Sequence, residues 1–533
     1  MSTTIPTTRP ASDPASSHAH NQTEVFAVHG ADPEVLAYAM AKYSRSSLSM
    51  RQSLKEISSQ RAEQFLNTFY FQYGHRSIAD LAHVAFAIER LSLLAAIVLV
   101  DEQRWDGQER STRYQNFLKS GWYLPSFAES SEAQQLYVKT VEDLFTAYER
   151  TSSAVFEALK KKVSCPPEMK QDAYERTLKA RAFDVARYLL PLATNTSLGQ
   201  IVNARTLETQ VSRLLTHPAA EIRDLGEKLK QAAIGPAWNL HAEELANIQS
   251  KIAEANPELA AESAPILTRE VHVAPTLVKY ATPNEYEIKT RAQLTHAAQE
   301  LLSGIPIDAA PLVDLVERTE SLEVELAATL IYSASHHPYR QIRDLVASLP
   351  EARISELIEL GLQDRGRHDE ALRAFHAGQG LRFDILMDIG GFRDMHRHRR
   401  CTQIIQEFTH LHGYDTPETG DAAGLSEAGI LADYQSTIAA AFAASSRIAA
   451  SNAPEAAQTA LYLLPLATRI RSLFKMDFAE AQYISELRSG PAGHFSYRKV
   501  AWEMYLAVQR QHPALAKYFR VTDFTQPIDI LKR

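Results

Sequence analysis

The heptapeptide Tyr188-Leu-Leu-Pro-Leu-Ala-Thr194 returns unchanged as Tyr462-Leu-Leu-Pro-Leu-Ala-Thr468, about half a chain length further on. Solenoid units repeat every 20–50 residues or so, so this spacing implies two copies of one domain. The 533-residue length is too great for a single core and suits two or more domains. Chemistry kept in one copy and lost in the other then becomes readable as a division of labour.

Each half can bury a core of its own, since 45% of residues are hydrophobic and 23% charged, near the globular average. A net charge of −8 argues against general affinity for nucleic acid or acidic membranes. The only cysteines, Cys165 and Cys401, fall one in each half. They exclude a disulfide framework or thiolate metal site and fit a reducing cytoplasm. Residues 1–23, rich in Ser, Thr and Pro, are expected to form a disordered tail and lack the apolar stretch of a secretory signal. The apolar run Leu91–Val100 is too short to span a membrane and predicts a buried helix.

Helical periodicity dominates the chain. From Ser77 the spacing of Ile78, Leu81, Ala85 and Ile88 predicts a packed helix, with Ser77–Asp80 as a capping box. Residues 132–162, 206–234 and 431–450 predict further helices, and 270–281 and 381–389 short strands. The weakest stretch is Ala253–Pro275, which carries Pro257, Pro265 and Pro275. The expected division is copy one at 24–255, a linker at 256–274 and copy two at 275–533. Each copy is expected to be α+β, with long helices packed on an antiparallel sheet.

The densest cationic cluster is Arg393-Asp394-Met395-His396-Arg397-His398-Arg399-Arg400. Planar guanidinium forks suit phosphate or pyrophosphate oxygens, although a charge run is more often a solvated helix face. His396 and His398 point to different faces of a helix, with no carboxylate at ligand spacing, so no metal site is expected. In the first half, Gln108-Glu109-Arg110-Ser111-Thr112-Arg113-Tyr114 can cradle a phosphorylated small molecule or be an ordinary polar turn. Asn203-Ala204-Arg205, Arg213 and Glu221-Ile222-Arg223 read equally well as helix ion pairs. Cys401 reads as packing.

Together these pieces resemble the flavin-dependent thymidylate synthases. The first copy is similar to that family in Gly74-His75-Arg76-Ser77, in Glu109-x-Ser111-x-Arg113-Tyr114, in Ala186-Arg187 leading to Leu190-Pro191, and in Asn203-Ala204-Arg205. Where the family has Arg-His-Arg, however, it has Asp101-Glu102-Gln103. The second copy is the converse. It keeps Arg397-His398-Arg399, and Leu487-Arg488 follows Pro465 at the family's spacing. It has Asp477-Phe478-Ala479 for Asn-Ala-Arg, Ile405-Gln406-Glu407-Phe408-Thr409 for Glu-x-Ser-x-Arg, and Leu461 for the arginine before Leu-Pro.

The losses are complementary. In the family the site is shared between subunits of a homotetramer, so the resemblance implies one composite pocket between the copies, with the opposite pocket, Asp101-Glu102-Gln103 facing Ile405-Gln406-Glu407, dead. It implies conversion of dUMP to dTMP with methylenetetrahydrofolate as carbon donor, FAD as cofactor and NADPH as reductant. Arg488 would be catalytic. Glu109, Ser111, Arg113 and Arg187 would grip the nucleotide, and Arg397, His398, Arg399, Asn203, Arg205 and Ser77 the flavin. A homodimer would recreate the tetramer. Asp394 replaces the family's nucleotide-touching glutamine, which allows a related nucleotide. The alternative is a catalytically inactive relative that survives as a nucleotide- or flavin-binding or assembly module.

Overall fold

The two heptapeptides meet face to face. In the computed structural model, which describes residues 26, 28, 30–42, 50–56, 76–128, 131–367, 369–417 and 424–531, they form a short antiparallel ladder. Leu192 and Ala193 donate N–H bonds to the carbonyls of Leu464 and Tyr462 at 2.9 and 2.8 Å, and Leu466 and Ala467 return them to Leu190 and Tyr188 at 3.0 Å each. Pro191 and Pro465 oppose each other at the centre. Such reciprocity marks a two-fold relation between like surfaces. The ladder is a dry seam: Leu190, Leu192, Leu466 and Ala467 are all fully buried. The largest apolar core runs continuously across it.

Each copy hangs an antiparallel sheet beside the seam. Copy one contains β1 (His83–Ser92), β2 (Asp106–Glu109) and β3 (Asn195–Asn203), in the order β1-β3-β2. Copy two contains β4 (Val313–Leu315), β5 (Leu381–Asp388), β6 (Thr402–Ile405) and β7 (Arg469–Met476), in the order β4-β5-β7-β6. Matching junctions follow. β1 and β5 turn directly into the short helices Leu93–Leu99 and Ile389–Met395, capped by Ser92 and Asp388. β3 and β7 lead into Ala204–Thr216 and Phe478–Ser489, capped by Asn203 and Asp477. Side-chain oxygens at these positions satisfy backbone donors that the helix leaves open. The chain is therefore two α+β copies in tandem.

Two expected elements differ. Residues 83–92 are not helical: after a single 3-10 segment at Arg76–Leu81 the chain enters β1. Val84, Ile88 and Leu91 are buried while His83, Ala85 and Ala87 are exposed, a two-residue alternation that coincides with helical spacing at Ile88. A bulge at Arg90, φ 61°, lets the strand end in register with β3. The capping box cannot be followed, because the Arg76 and Ser77 side chains, with Gly74 and His75, lie outside the described residues, as does the tail at 1–23. Residues 270–281 form only one bridge, His272 to Pro236. The N–H groups of Thr276 and Leu277 instead donate to buried Glu34 Oε1 at 2.9 and 2.7 Å, leaving no ladder to extend. Within the expected linker, Asn256 caps a helix at Pro257–Leu267. Proline at the first helical position starts a helix rather than breaking it.

Helices Leu322–Ser333 and Tyr339–Ala347 cover one face of the copy-two sheet over buried ion pairs. Lys475 Nζ lies 3.0 Å from Glu325 Oε1 and Arg471 Nη1 3.0 Å from Asp384 Oδ2. Removing one member of such a pair strands the other charge. Lys475→Met is expected to destabilise the chain by about 3–5 kcal/mol in denaturant unfolding. The double variant with Glu325→Leu should recover most of that loss, and a single-variant effect as small as the double's would contradict the pairing. No helix among the described residues is long and apolar enough to cross a membrane.

Candidate active site

β2 is polar and exposed along most of its length, so its side chains are presented rather than packed. Opposite it stands the segment that follows β5. Between them lies a small cleft, lined by Ile97, Val100, Trp105, Gly107 and Glu109 from copy one and by Arg393, His396, Arg397 and Arg399 from copy two. The basic cluster is no solvated helix face: His396 and His398 are buried, at 2% and 5% exposure.

Two crossed ion pairs tie the copies together here. The Arg393 guanidinium pairs with the Glu109 carboxylate, and Arg187 Nη1 lies 3.6 Å from Asp394 Oδ2. Arg113 donates from Nε to Asp184 Oδ1 at 2.7 Å, from Nη1 to Tyr497 Oη at 2.9 Å and from Nη2 to the Ala492 carbonyl at 3.2 Å. Burial disfavours its charge, but Asp184 outweighs that and raises the Arg113 pKa above the usual arginine value. Ser111 Oγ accepts the Arg113 backbone N–H at 3.3 Å, so it shapes the turn.

Arg187 is buried at 2% exposure, and its Nε and Nη2 have no hydrogen-bond partner. Each unmet donor of this kind costs roughly 1–3 kcal/mol. The arrangement calls for an acceptor that the chain does not itself supply. Arg399 is similar. It donates to the His396 carbonyl at 2.7 Å, stacks its guanidinium 5.1 Å from the Trp105 ring centroid, and burial brings its pKa down to about 10. The indole is held by its N–H bond to Gln200 Oε1 at 2.8 Å. Arg397 lines the same cleft with its side chain exposed.

Arg488 donates from Nε to His398 Nε2 at 2.8 Å and lies over the Tyr497 ring at 5.5 Å. Tyr497 thus touches both Arg113 and Arg488. Burial lowers the His398 pKa against the opposing pull of Glu480, which favours the neutral imidazole. Of the expected site residues, Glu109, Arg397 and Arg399 line the cleft, while Ser111, Arg113, Arg187, His398 and Arg488 stand behind it, joined by the contacts just described. Asn203 and Arg205 are neither in the lining nor in that network. Asn203 Oδ1 accepts from Thr206 N–H at 2.8 Å as a helix cap, and Arg205 pairs with Asp80 and Glu370 at 3.4 Å each. The Ser77 side chain lies outside the described residues.

Several residues escaped the sequence reading. Asp184 sits one turn before Arg187, a spacing that could have flagged it. Tyr497 gives no such signal, since it reaches Arg113 only because the chain turns at Gly490–Gly493. Trp105 has one weak signal, as a lone aromatic among polar residues.

The Asp101-Glu102-Gln103 segment is engaged in ion pairs of its own. Asp101 Oδ1 pairs with Arg373 Nη1 at 2.6 Å, and Glu102 Oε1 with Arg213 Nη2 at 2.6 Å. Burial works to raise the Asp101 pKa, but Arg373 and His396 hold it well below the carboxylate range. This segment shares a second depression with Arg373, His396, His398, Arg399, Cys401 and Gln403, next to the first, and does not face Gln406, whose amide donates into the core to the Tyr332 and His337 carbonyls. Among the described residues no group of His, Cys, Asp and Glu could hold a metal ion. Cys401 is buried and its thiol donates to the His398 carbonyl at 3.1 Å, while burial pushes its pKa up to about 12. A thiol so rarely ionised is a poor nucleophile. Folded protein at pH 8 should show no iodoacetamide adduct on Cys401 by mass spectrometry, and rapid labelling would refute its burial.

Taken together, these features define a tandem-duplicated α+β protein with a cleft lined by residues of both copies. The chain belongs to the family described as thymidylate synthase complementing protein, whose model matches residues 26–235 and again 314–514. It is 28% identical over 529 residues to a UPF0159 protein of Chlamydia muridarum, covering 93% of this chain and 91% of that one. The UPF0159 protein Ta1429 of Thermoplasma acidophilum is 26% identical over 524 residues, covering 91% and 94%. The flavin-dependent thymidylate synthase of Clostridium tetani is 26% identical over 211 residues, covering 39% of this chain and 81% of that one. Among solved structures, ThyX of Helicobacter pylori complexed with FAD and dUMP covers 38% of this chain and 89% of its own, at 16% identity and a TM-score of 0.26.

Proposed function

We propose that the cleft between the copies is the single active site of a flavin-dependent thymidylate synthase, converting dUMP to dTMP with methylenetetrahydrofolate and NADPH. The observation that carries this reading is Arg187: a buried guanidinium with two unmet donors, in the cleft region where the copies exchange crossed ion pairs. A nucleotide phosphate supplies the missing acceptors. Arg113, already fixed by Asp184 and Tyr497, adds positive charge beside it.

The cationic side of the cleft fits FAD. Arg399 forms no ion pair among the described residues and is partly desolvated, and with exposed Arg397 it would hold the pyrophosphate, with His398 beside them. FAD, when bound and reduced, supplies the hydride that turns the transferred methylene into a methyl group. The protein's own part is positioning and charge. Nε of Arg488 is committed to His398, which leaves its terminal nitrogens for the edge of the pyrimidine. Positive charge held there stabilises the ionised ring and raises the nucleophilicity of its carbon. Asn203 and Arg205 keep structural roles in one chain, and a homodimer is the expected assembly.

The test is direct. Purified protein should be yellow, retain about one FAD per chain, and oxidise NADPH in response to both dUMP and methylenetetrahydrofolate. Colourless protein that takes up no added FAD would sink this reading and favour an inactive binding module.

A further inference from the structure

Glu480 lies in the first turn of the helix Phe478–Ser489, and its side chain is buried at 7% exposure. Its Oε1 is 3.5 Å from His398 Nδ1. The opposite ring nitrogen, Nε2, accepts from Arg488 Nε at 2.8 Å. A guanidinium only donates, so Nε2 must present its lone pair. In a neutral imidazole the one ring proton then sits on Nδ1, the atom facing Glu480. Glu480 and Arg488 project from the same face of one helix, two turns apart, so a rigid element closes the relay at both ends.

The imidazole has little freedom besides. The His398 carbonyl accepts from Cys401 Sγ at 3.1 Å and Gln403 Nε2 at 2.9 Å. Tyr483 meets its ring edge-on, with centroids 5.8 Å apart. The charged groups acting on it are Glu480, Arg488 and Arg399, of which only Glu480 can accept the Nδ1 proton. Second partners of this sort fix the tautomer and aim of a histidine in the way they do around metal ligands.

We propose that Glu480 is a positioning residue for Arg488: it accepts the Nδ1–H of His398, fixes the tautomer that leaves Nε2 to receive Arg488 Nε–H, and so aims the guanidinium into the cleft. The inference rests on the reading of Arg488 as the group that meets the nucleotide base. The tautomer itself does not depend on that reading.

The experiment has two arms. Long-range ¹H–¹⁵N spectra of histidine-labelled, ligand-free protein, with His398 assigned by its loss in His398→Gln, should show the Nδ1–H tautomer at neutral pH. Glu480→Leu should bring in the Nε2–H form. Glu480→Gln, whose amide oxygen still accepts, should restore the wild-type pattern. A wild-type His398 protonated on Nε2, or an unaltered spectrum in Glu480→Leu, overturns the proposal. In turnover assays Glu480→Leu should lower kcat about 10–100-fold, the usual effect of losing an orienting partner. The dUMP KM should stay within about twofold, since a relay that only aims Arg488 leaves nucleotide binding largely intact. Flavin content should be unchanged, and in the His398→Gln background the same substitution should add no further loss. A full additive loss there would also overturn the proposal. Wild-type protein with the expected tautomer but no dUMP-dependent turnover would defeat the functional reading while leaving the relay standing.

Discussion

Arg187→Leu is expected to stabilise the ligand-free chain while abolishing its grip on a nucleotide. Leucine is what the second copy carries at the matching position, Leu461, so the shape is one this backbone already accepts. The substitution removes two buried donors without partners, each worth roughly 1–3 kcal/mol of desolvation. It also releases Asp394, which is partly exposed and tolerates solvation. Unfolding free energy should therefore rise by about 1–3 kcal/mol. Affinity for dUMP should fall at least about 100-fold, because charge-assisted bonds contribute about 1.5–3 kcal/mol each. Denaturation and equilibrium binding on the same preparation decide the matter. A variant that is less stable, or that binds nucleotide as before, shows that Arg187 serves the core and not a ligand. Gains in stability on loss of function are the usual mark of a site that is strained for its work.

The second large effect is expected at Arg488. Arg488→Lys keeps the charge but loses the Nε–H that joins the side chain to His398, together with the planar fork. Removal of one preorganised hydrogen-bond donor at a reacting edge commonly costs about 10²–10³-fold in kcat. FAD content and melting temperature should remain those of the wild type, since Arg488 forms no buried ion pair among the described residues. Pre-steady-state kinetics can separate flavin reduction by NADPH, which should be unimpaired, from product formation, which should be slow. Full turnover in the lysine variant would remove Arg488 from the mechanism.

The duplication was legible because an exact heptapeptide lies at the seam, where the two copies of the segment pair with each other about Pro191 and Pro465 and both are buried. The proposed split of the site was legible for a different reason. Arg187 against Leu461, and Arg397 against Asp101, are reversals of chemistry at matched positions, and they show without coordinates. β1 was misread because Ile88 satisfies both a helical and a strand period. β2 carries Asp106, Gly107, Gln108 and Glu109, whose polarity hides a strand from any hydrophobic pattern. Its order comes from pairing with β3. Tyr497, Glu480 and Arg373 act through tertiary approach to residues far away in the chain, and local spacing carries no trace of such approach.

The seam also bears on why the halves stay joined. Its hydrogen bonds are the same whichever half supplies them, so separate halves would pair with themselves as readily as with each other. One self-pair would hold Arg187 twice and no basic triplet; the other would hold the triplet twice and no Arg187. Covalent continuity removes both unproductive pairings, and it lets each half specialise without having to recognise its mate.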